Sequence, residues 1–348
     1  MNNGQRTERN EAPAPRSTYR QAYERGAARL TEAGVSEAKL DARLLLEYVC
    51  GTDTQTLLAH GERPVSAAEL ERYEALLARR CAREPLAYLT GEQEFMGLSF
   101  AVTPAVLIPG PDTEILVEEA MRELCGGMRI FDLCTGGGCI LLSLLHYGMD
   151  CTGVGTDLSP QALAVAAKNG ERLGLAERVR WAQGDLWEAL EKKEACAPQG
   201  GEPQGASGTP QDGEPQGVSL APRDDASGGA QAGPRNDGGA FLFDMIVSNP
   251  PYIPTAVIDT LEPEVRAGEP LLALDGGADG LAFYRRIAAQ AARHLRIGGK
   301  LFLEIGFDQA QDVTALLREA GFIEIGTVRD YGGRDRVVRA ERGMHTAV

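Results

Sequence analysis

Four consecutive residues, Asn249-Pro250-Pro251-Tyr252, carry the sharpest chemistry in the chain, and they directly follow an apolar run, Phe243 to Ser248, that reads as a strand. Proline cannot donate a backbone hydrogen bond and biases its predecessor to extended backbone, so Asn249 is held at the strand's carboxyl end with its side chain free. The Asn249 carboxamide oxygen can accept one hydrogen bond from a substrate NH2, and the Pro250 carbonyl a second. Tyr252 can stack on the planar group that bears that NH2. This grip answers a particular difficulty, because a carboxamide nitrogen is a poor nucleophile whose lone pair is delocalised into the carbonyl. Fixing the nitrogen in line with an activated methyl group brings a proximity advantage, and polarising its N–H bonds lets charge leave as the new bond forms. Neither a strong base nor a metal is needed. Asn-Pro-Pro also reads as a simple turn, though its place at a strand end favours the chemical reading.

A second group of residues has the makings of a cofactor site. The strand Met128 to Leu133 runs into Asp132-Leu133-Cys134-Thr135-Gly136-Gly137-Gly138 and then a helix. Consecutive glycines let backbone approach a ligand, and the helix start offers unpaired N–H groups, although such a turn often serves only to pack the helix closely. Leu141 stands where a dinucleotide-binding Gly-x-Gly-x-x-Gly motif needs its third glycine, which argues against NAD. Asp157 ends the next strand, 19 residues after Gly138. A carboxylate there can accept hydrogen bonds from both hydroxyls of a ribose. The competing role, a helix cap, is already supplied by Ser159 before Pro160. After the third strand, Gly184-Asp185-Leu186-Trp187 can border an adenine ring, and a loop that merely buries Trp187 fits equally well.

These residues need a sheet to position them. From Met128 onward, continuous apolar strands alternate with helices, resuming at Phe243 and ending with Phe322 to Arg329, which predicts an α/β fold with an open, mostly parallel sheet covered on both faces. Ligands of such a sheet lie at the carboxyl ends of its strands. Upstream, Tyr19 to Ala33, Ser36 to Cys50 and Ser66 to Arg83 have helical spacing, and Ser66 with Glu69 makes a helix-capping pattern. The expected organisation is a disordered tail at 1–16, a helical domain at 17–84, a hairpin-like linker at 85–111 and a catalytic domain at 112–348.

Residues 197–240 interrupt that domain. Of these 44 residues 11 are Gly and 6 are Pro, none is aromatic, and Gly-Glu-Pro-Gln-Gly occurs twice, so a disordered insert is expected. Removing it from the 348 residues, whose net charge is -15, leaves 33 Lys+Arg against 44 Asp+Glu. The acidity therefore belongs to the folded part; it disfavours a phosphate backbone as partner and suits a protein substrate. Seven cysteines without a Cys-x-x-Cys pair, and four scattered histidines, point to a reduced cytoplasm without a structural zinc. Cys134, Cys139 and Cys151 read as small buried hydrophobes. No apolar stretch approaches the ~20 residues that span a bilayer.

Taken together, the motifs resemble those of class I S-adenosylmethionine-dependent methyltransferases, and within them the protein-(glutamine-N5) methyltransferases of class-1 peptide chain release factors. Besides Asn249 to Tyr252, the likeness rests on Pro85-Leu86-Ala87-Tyr88-Leu89-Thr90-Gly91 with Phe95, on Leu107-Ile108-Pro109-Gly110-Pro111-Asp112-Thr113-Glu114, and on Asp330-Tyr331-Gly332-Gly333-Arg334-Asp335-Arg336. It spans about residues 18 to 340 apart from the insert. The resemblance implies a Rossmann-like seven-stranded sheet whose last strand is antiparallel, and an N-terminal domain that helps hold the release factor. It also implies that Cys134, Thr135, Gly136, Gly137 and Gly138 cradle the methionine part of S-adenosyl-L-methionine. Asp157 would take the ribose, Asp185 and Leu186 would border the adenine, and Asn249, Pro250, Pro251 and Tyr252 would bind the glutamine of a Gly-Gly-Gln motif, with Asn249 between substrate and cofactor. A cytoplasmic monomer that binds neither nucleic acid nor membrane is expected.

Two positions depart from the family pattern. Cys134 stands where glycine usually begins the cofactor loop, so a positive φ there would be strained, and Gly110 replaces an arginine able to pair with a carboxylate. Adenine N6-methylation of DNA or RNA is one alternative, since adenine presents a similar planar NH2. A catalytically silent S-adenosylmethionine-binding protein is the other.

Overall fold

The computed structural model describes residues 17–191 and 242–344. The 1–16 tail and the 197–240 insert lie outside the described residues.

The N-terminal part comprises α1 (Tyr19–Glu32), α2 (Ala38–Cys50), α3 (Thr54–Ala59), α4 (Ala67–Cys81) and α5 (Leu86–Thr90). Thr18 with Gln21, and Ser66 with Glu69, form reciprocal capping boxes that satisfy free N–H groups at two of these helix starts. Leu30, Leu45, Leu46, Tyr73 and Leu77 are buried between the helices. A bare glycine at position 26 is what admits the Tyr73 ring, whose hydroxyl a Cβ would meet at 2.1 Å. The short helices α3 and α5 hold too few residues to show a period in the sequence. The linker forms an antiparallel hairpin of β1 (Glu92–Phe95) and β2 (Leu98–Ala101).

After α6 (Pro111–Arg122), strand and helix alternate: β3 (Arg129–Leu133), α7 (Cys139–Tyr147), β4 (Thr152–Asp157), α8 (Pro160–Arg172), β5 (Val179–Gln183) and α9 (Glu188–Glu191). The second half holds β6 (Phe243–Ser248), α10 (Pro263–Gly268), α11 (Leu271–Leu274), α12 (Ala282–His294), β7 (Leu295–Glu304), α13 (Ala310–Glu319), β8 (Ile323–Arg329) and β9 (Asp335–Glu341). Among the described residues these strands make a seven-stranded sheet in the order β5-β4-β3-β6-β7-β9-β8. β9 inserts between β7 and β8, antiparallel to both, while the other pairs are parallel. This is the mostly parallel sheet with an antiparallel last strand that the resemblance implies. No periodicity marked β9, because Arg336 and Arg339 interrupt its apolar run, and Gly298 and Gly299 dilute the start of β7. No helix of the described residues is long and apolar enough to cross a membrane.

The strand order reverses between β3 and β6, where an open sheet leaves a crevice. Leu133 pairs with Thr156 on one side and Ser248 on the other, and Ser248 pairs with Leu303 of β7. Chain continuity then sets Asp157, Cys134, Asn249 and Glu304 in one row at the carboxyl ends.

The helical part is fastened to the segment that follows the Asn-Pro-Pro-Tyr run. Arg80 is buried, with its Nε 2.7 Å from Asp41 Oδ2 and its Nη2 3.1 Å from Glu264 Oε1. Removing one member of a buried ion group leaves the remaining charge poorly compensated and costs about 3 kcal/mol. Asp41→Ala is therefore expected to lower unfolding free energy by that order in urea titration, and a loss under about 1 kcal/mol would contradict the role given to the pair.

Candidate active site

The floor of the crevice is the loop after β3. Cys134 has φ 57°, Gly136 54° and Gly138 80°. The loop thus requires left-handed backbone at Cys134, where a side chain costs roughly 1–2 kcal/mol that glycine would not incur. Asp132 anchors the turn from beneath: fully buried, it accepts a 2.5 Å hydrogen bond at Oδ2 from the Thr135 hydroxyl, while Oδ1 has no well-formed partner among the described residues. Burial pushes its carboxyl up to about 7, and the nearby Asp157 charge adds to the rise.

Asp157 clasps the same loop. Its Oδ2 accepts from Gly136 N and its Oδ1 from Ser159 N, each at 2.9 Å. Burial raises its pKa, and these backbone donors oppose the rise. Each carboxylate oxygen keeps a further lone pair for a ligand. The cap of α8 is Ser159, whose Oγ accepts from Ala162 N at 3.1 Å, so Asp157 is not spent on that duty. A Cβ at Gly136 would meet no protein atom within 4 Å, and Gly136 lines the cleft, so its bare backbone leaves room for a ligand to lie against the loop.

Asp157, the loop and Asn249 border one cleft of about 1110 Å³, its open mouth included. Cys134, Thr135, Gly137, Asp185, Leu186 and Pro251 line it too. Asp185 pairs with Arg286 at 2.8 Å on the rim. Leu186 is buried, and Trp187 points into the core, stacked on His294 with ring centroids 4.6 Å apart. The loop therefore both walls the cleft and buries its tryptophan.

Asn249 is half-buried, and its Nδ2 donates to the Thr113 hydroxyl oxygen at 3.2 Å. Its amide nitrogen end is thereby engaged. Three of the proposed site residues stand away from the cleft wall. Gly138 is the N-cap of α7, and a side chain there would strike the Trp181 ring at 2.8 Å, so its bare backbone serves close packing of that helix. Pro250 is buried behind Asn249. Tyr252 packs against the core, with its hydroxyl 3.5 Å from Glu304 Oε1 and its carbonyl accepting from Gln309 Nε2 at 2.9 Å.

Residues 21–91 match the PrmC N-terminal domain family. The chain is 38% identical over 314 residues to the release factor glutamine methyltransferase of Geobacter sulfurreducens, covering 90% of this chain and 93% of that one. The chain belongs to the release factor glutamine methyltransferase family. The family member of that name from Moorella thermoacetica is 40% identical over 328 residues, 93% of this chain and 99% of its own. Among solved structures, a methyltransferase from Pyrococcus furiosus is similar over 78% of this chain and 98% of its own, at 16% identity and a TM-score of 0.44.

In this member of the release factor glutamine methyltransferase family, the two departures from the pattern have distinct structural outcomes. Cys134 adopts the strained angle outright. Gly110 caps α6 without a side-chain bond, and Asp112 two residues on meets a cation from elsewhere, Arg336 of β9 at 3.2 Å. Several wall residues carried no mark in the sequence. Thr113 appeared only inside a family motif, Arg286 looks like any surface base on α12, and Pro270, Leu272 and Ala273 looked like ordinary loop and core.

Burial, with Asp157 and Asp132 close by, pushes the Cys134 thiol well up, and burial does the same at Cys139. Less thiolate means slower alkylation. At pH 8, iodoacetamide should label exposed Cys125 well before either, as followed by peptide mass spectrometry; Cys134 reacting first would overturn this electrostatic picture.

Proposed function

We propose that this protein transfers a methyl group from S-adenosylmethionine to the side-chain N5 of the glutamine in the Gly-Gly-Gln motif of class-1 peptide chain release factors. The observation that carries the reading is the Asn249 amide, whose NH2 end is held by Thr113 beside the glycine loop, so that its oxygen is left for a substrate NH2. In this reading Cys134 to Gly137 and Asp157 hold the methionine and ribose parts of the cofactor, and Asp185 and Leu186 border its adenine. S-adenosylmethionine supplies a methyl group on a positively charged sulfonium.

Asn249 Oδ1 accepts one N–H of the glutamine amide and the backbone carbonyl of Pro250, which lies between the cleft-lining residues Asn249 and Pro251, accepts the other, which aims the nitrogen and spreads the charge that develops on it. The proton displaced from nitrogen passes to solvent. Tyr252 acts from beneath, tied to Glu304 and Gln309, and stiffens the turn that carries Asn249.

Support for a protein substrate comes from the net charge of -15 and from the carboxylates Asp157 and Asp185 at the cleft, which would repel a phosphate backbone. That weighs against adenine methylation of DNA or RNA. The reaction is assigned to the cytoplasm, in keeping with seven cysteines that include no Cys-x-x-Cys pair, and to a single chain.

Incubating the purified protein with S-adenosylmethionine and a release factor should add one methyl group to the Gly-Gly-Gln glutamine by mass spectrometry. Asn249→Ala should lower the rate by at least about 100-fold while cofactor affinity stays within a few-fold. No methyl on that glutamine, or labelled methyl entering nucleic acid instead, would reject the assignment.

A further inference from the structure

A carboxamide has an accepting end and a donating end of nearly the same shape, and the reading above works only if Asn249 presents its oxygen to the substrate. Flipped, it would set its own NH2 against the glutamine NH2. Something must make one orientation decisively better. Asn249 Nδ2 donates to Thr113 Oγ1 at 3.2 Å, but a hydroxyl both donates and accepts, so Thr113 alone would tolerate either orientation. What removes the ambiguity lies behind it.

Thr113 is 5% exposed, and Glu304, at the end of β7, is 2% exposed. The Thr113 hydroxyl is among the hydrogen-bonding neighbours that draw the Glu304 pKa down against burial, which raises it to about 7. Glu304 Oε2 has no well-formed partner among the described residues, while Oε1 receives the Tyr252 hydroxyl at 3.5 Å. Arg336 of β9 lends a positive charge nearby and Asp112 of α6 an opposing one. The Tyr284 hydroxyl donates to the Glu304 backbone carbonyl at 2.7 Å and fixes the residue in place.

We infer that Glu304 and Thr113 are positioning residues that set the polarity of the Asn249 amide. The ionised carboxylate can only accept, so it takes the Thr113 hydroxyl hydrogen. Thr113 Oγ1 is then purely an acceptor on its other side, and Asn249 satisfies it only by turning NH2 toward it. The Asn249 oxygen is thereby fixed toward the substrate before substrate arrives. This inference deepens the assigned methyl transfer and rests on it.

The test uses the full chain, a release factor and S-adenosylmethionine at pH 8, above the value of about 7 to which burial raises the Glu304 pKa. Thr113→Val keeps the shape of the side chain but removes the relay, and should lower kcat about 10–100-fold with cofactor Kd within about 2-fold. Thr113→Ser, which restores a hydroxyl, should return kcat to within about 3-fold of the native value. Glu304→Gln, whose amide can donate as well as accept, should lower kcat at least about 5-fold, and combining it with Thr113→Val should cost little more than Thr113→Val alone. The inference is overturned if Thr113→Val keeps kcat within about 2-fold of native, if Thr113→Ser is as impaired as Thr113→Val, or if the two losses multiply in the double variant. These results presuppose an active native protein, so they are distinct from failure of the assigned reaction, which would show as no methyl transfer by the native chain.

Discussion

The level ending of neighbouring strands is the constraint on which the rest of the site depends. Leu133, Ser248 and Leu303 lie abreast across β3, β6 and β7, and the buried Ser248 hydroxyl donates to the Leu133 carbonyl at 2.7 Å. That bond pins two strands at the point where the sheet reverses its order. Cys134, Asn249 and Glu304 each leave their strand from this line, with Asp157 joining them from β4. A slip of one residue between β3 and β6 would misalign the side chains packed on both faces of the sheet and separate the loop from Asn249. The dense apolar packing of Phe131, Ile246 and Leu303, all fully buried or nearly so, makes that slip prohibitive.

Locally unfavourable features collect along the same line. A cysteine sits in left-handed backbone, and the Asp132 and Glu304 carboxylates are buried, each with one oxygen that has no well-formed hydrogen bond among the described residues. Such features persist only where surrounding structure over-determines them, and they concentrate at functional sites. Here the surroundings include parts distant in sequence. α6 supplies Thr113 and Asp112, β9 supplies Arg336, and the helical N-terminal part grips Glu264 in the segment leading to Pro270 and Leu272 at the cleft. Tyr331 of the turn before β9 reaches α6 as well, its hydroxyl 2.9 Å from Glu118. The linker and C-terminal motifs therefore meet in space behind Asn249 rather than acting as separate recognition elements.

What could be read from the sequence was whatever constrains backbone. Prolines after Asn249, glycines after Leu133 and apolar runs of strand length each restrict a few consecutive residues, so they marked the sheet, the loop and the turn at Asn249. Side-chain partnerships across the fold left no such trace. Thr113, Asn249 and Glu304 meet only because α6, β6 and β7 converge, and no spacing rule links those positions. The same limit explains Gly138, where a glycine that packs against Trp181 looks identical to one that cradles a ligand. It explains Tyr252 too: an aromatic next to a substrate turn suggests stacking, whereas Glu304 and Gln309 draw it beneath the loop. β9 was hidden because Arg336 and Arg339, needed for ion pairs with Asp112 and Glu119, break its apolar pattern.

The central claim is that Asn249 meets its substrate with the amide oxygen, its nitrogen being retained by Thr113. A crystal structure with S-adenosylhomocysteine and a Gly-Gly-Gln peptide bound together addresses that claim most directly. It should place the glutamine NH2 about 3 Å from both Asn249 Oδ1 and the Pro250 carbonyl, with Asn249 Nδ2 still on Thr113. A glutamine whose carbonyl oxygen faces Asn249, or one seated outside the cleft, would contradict it.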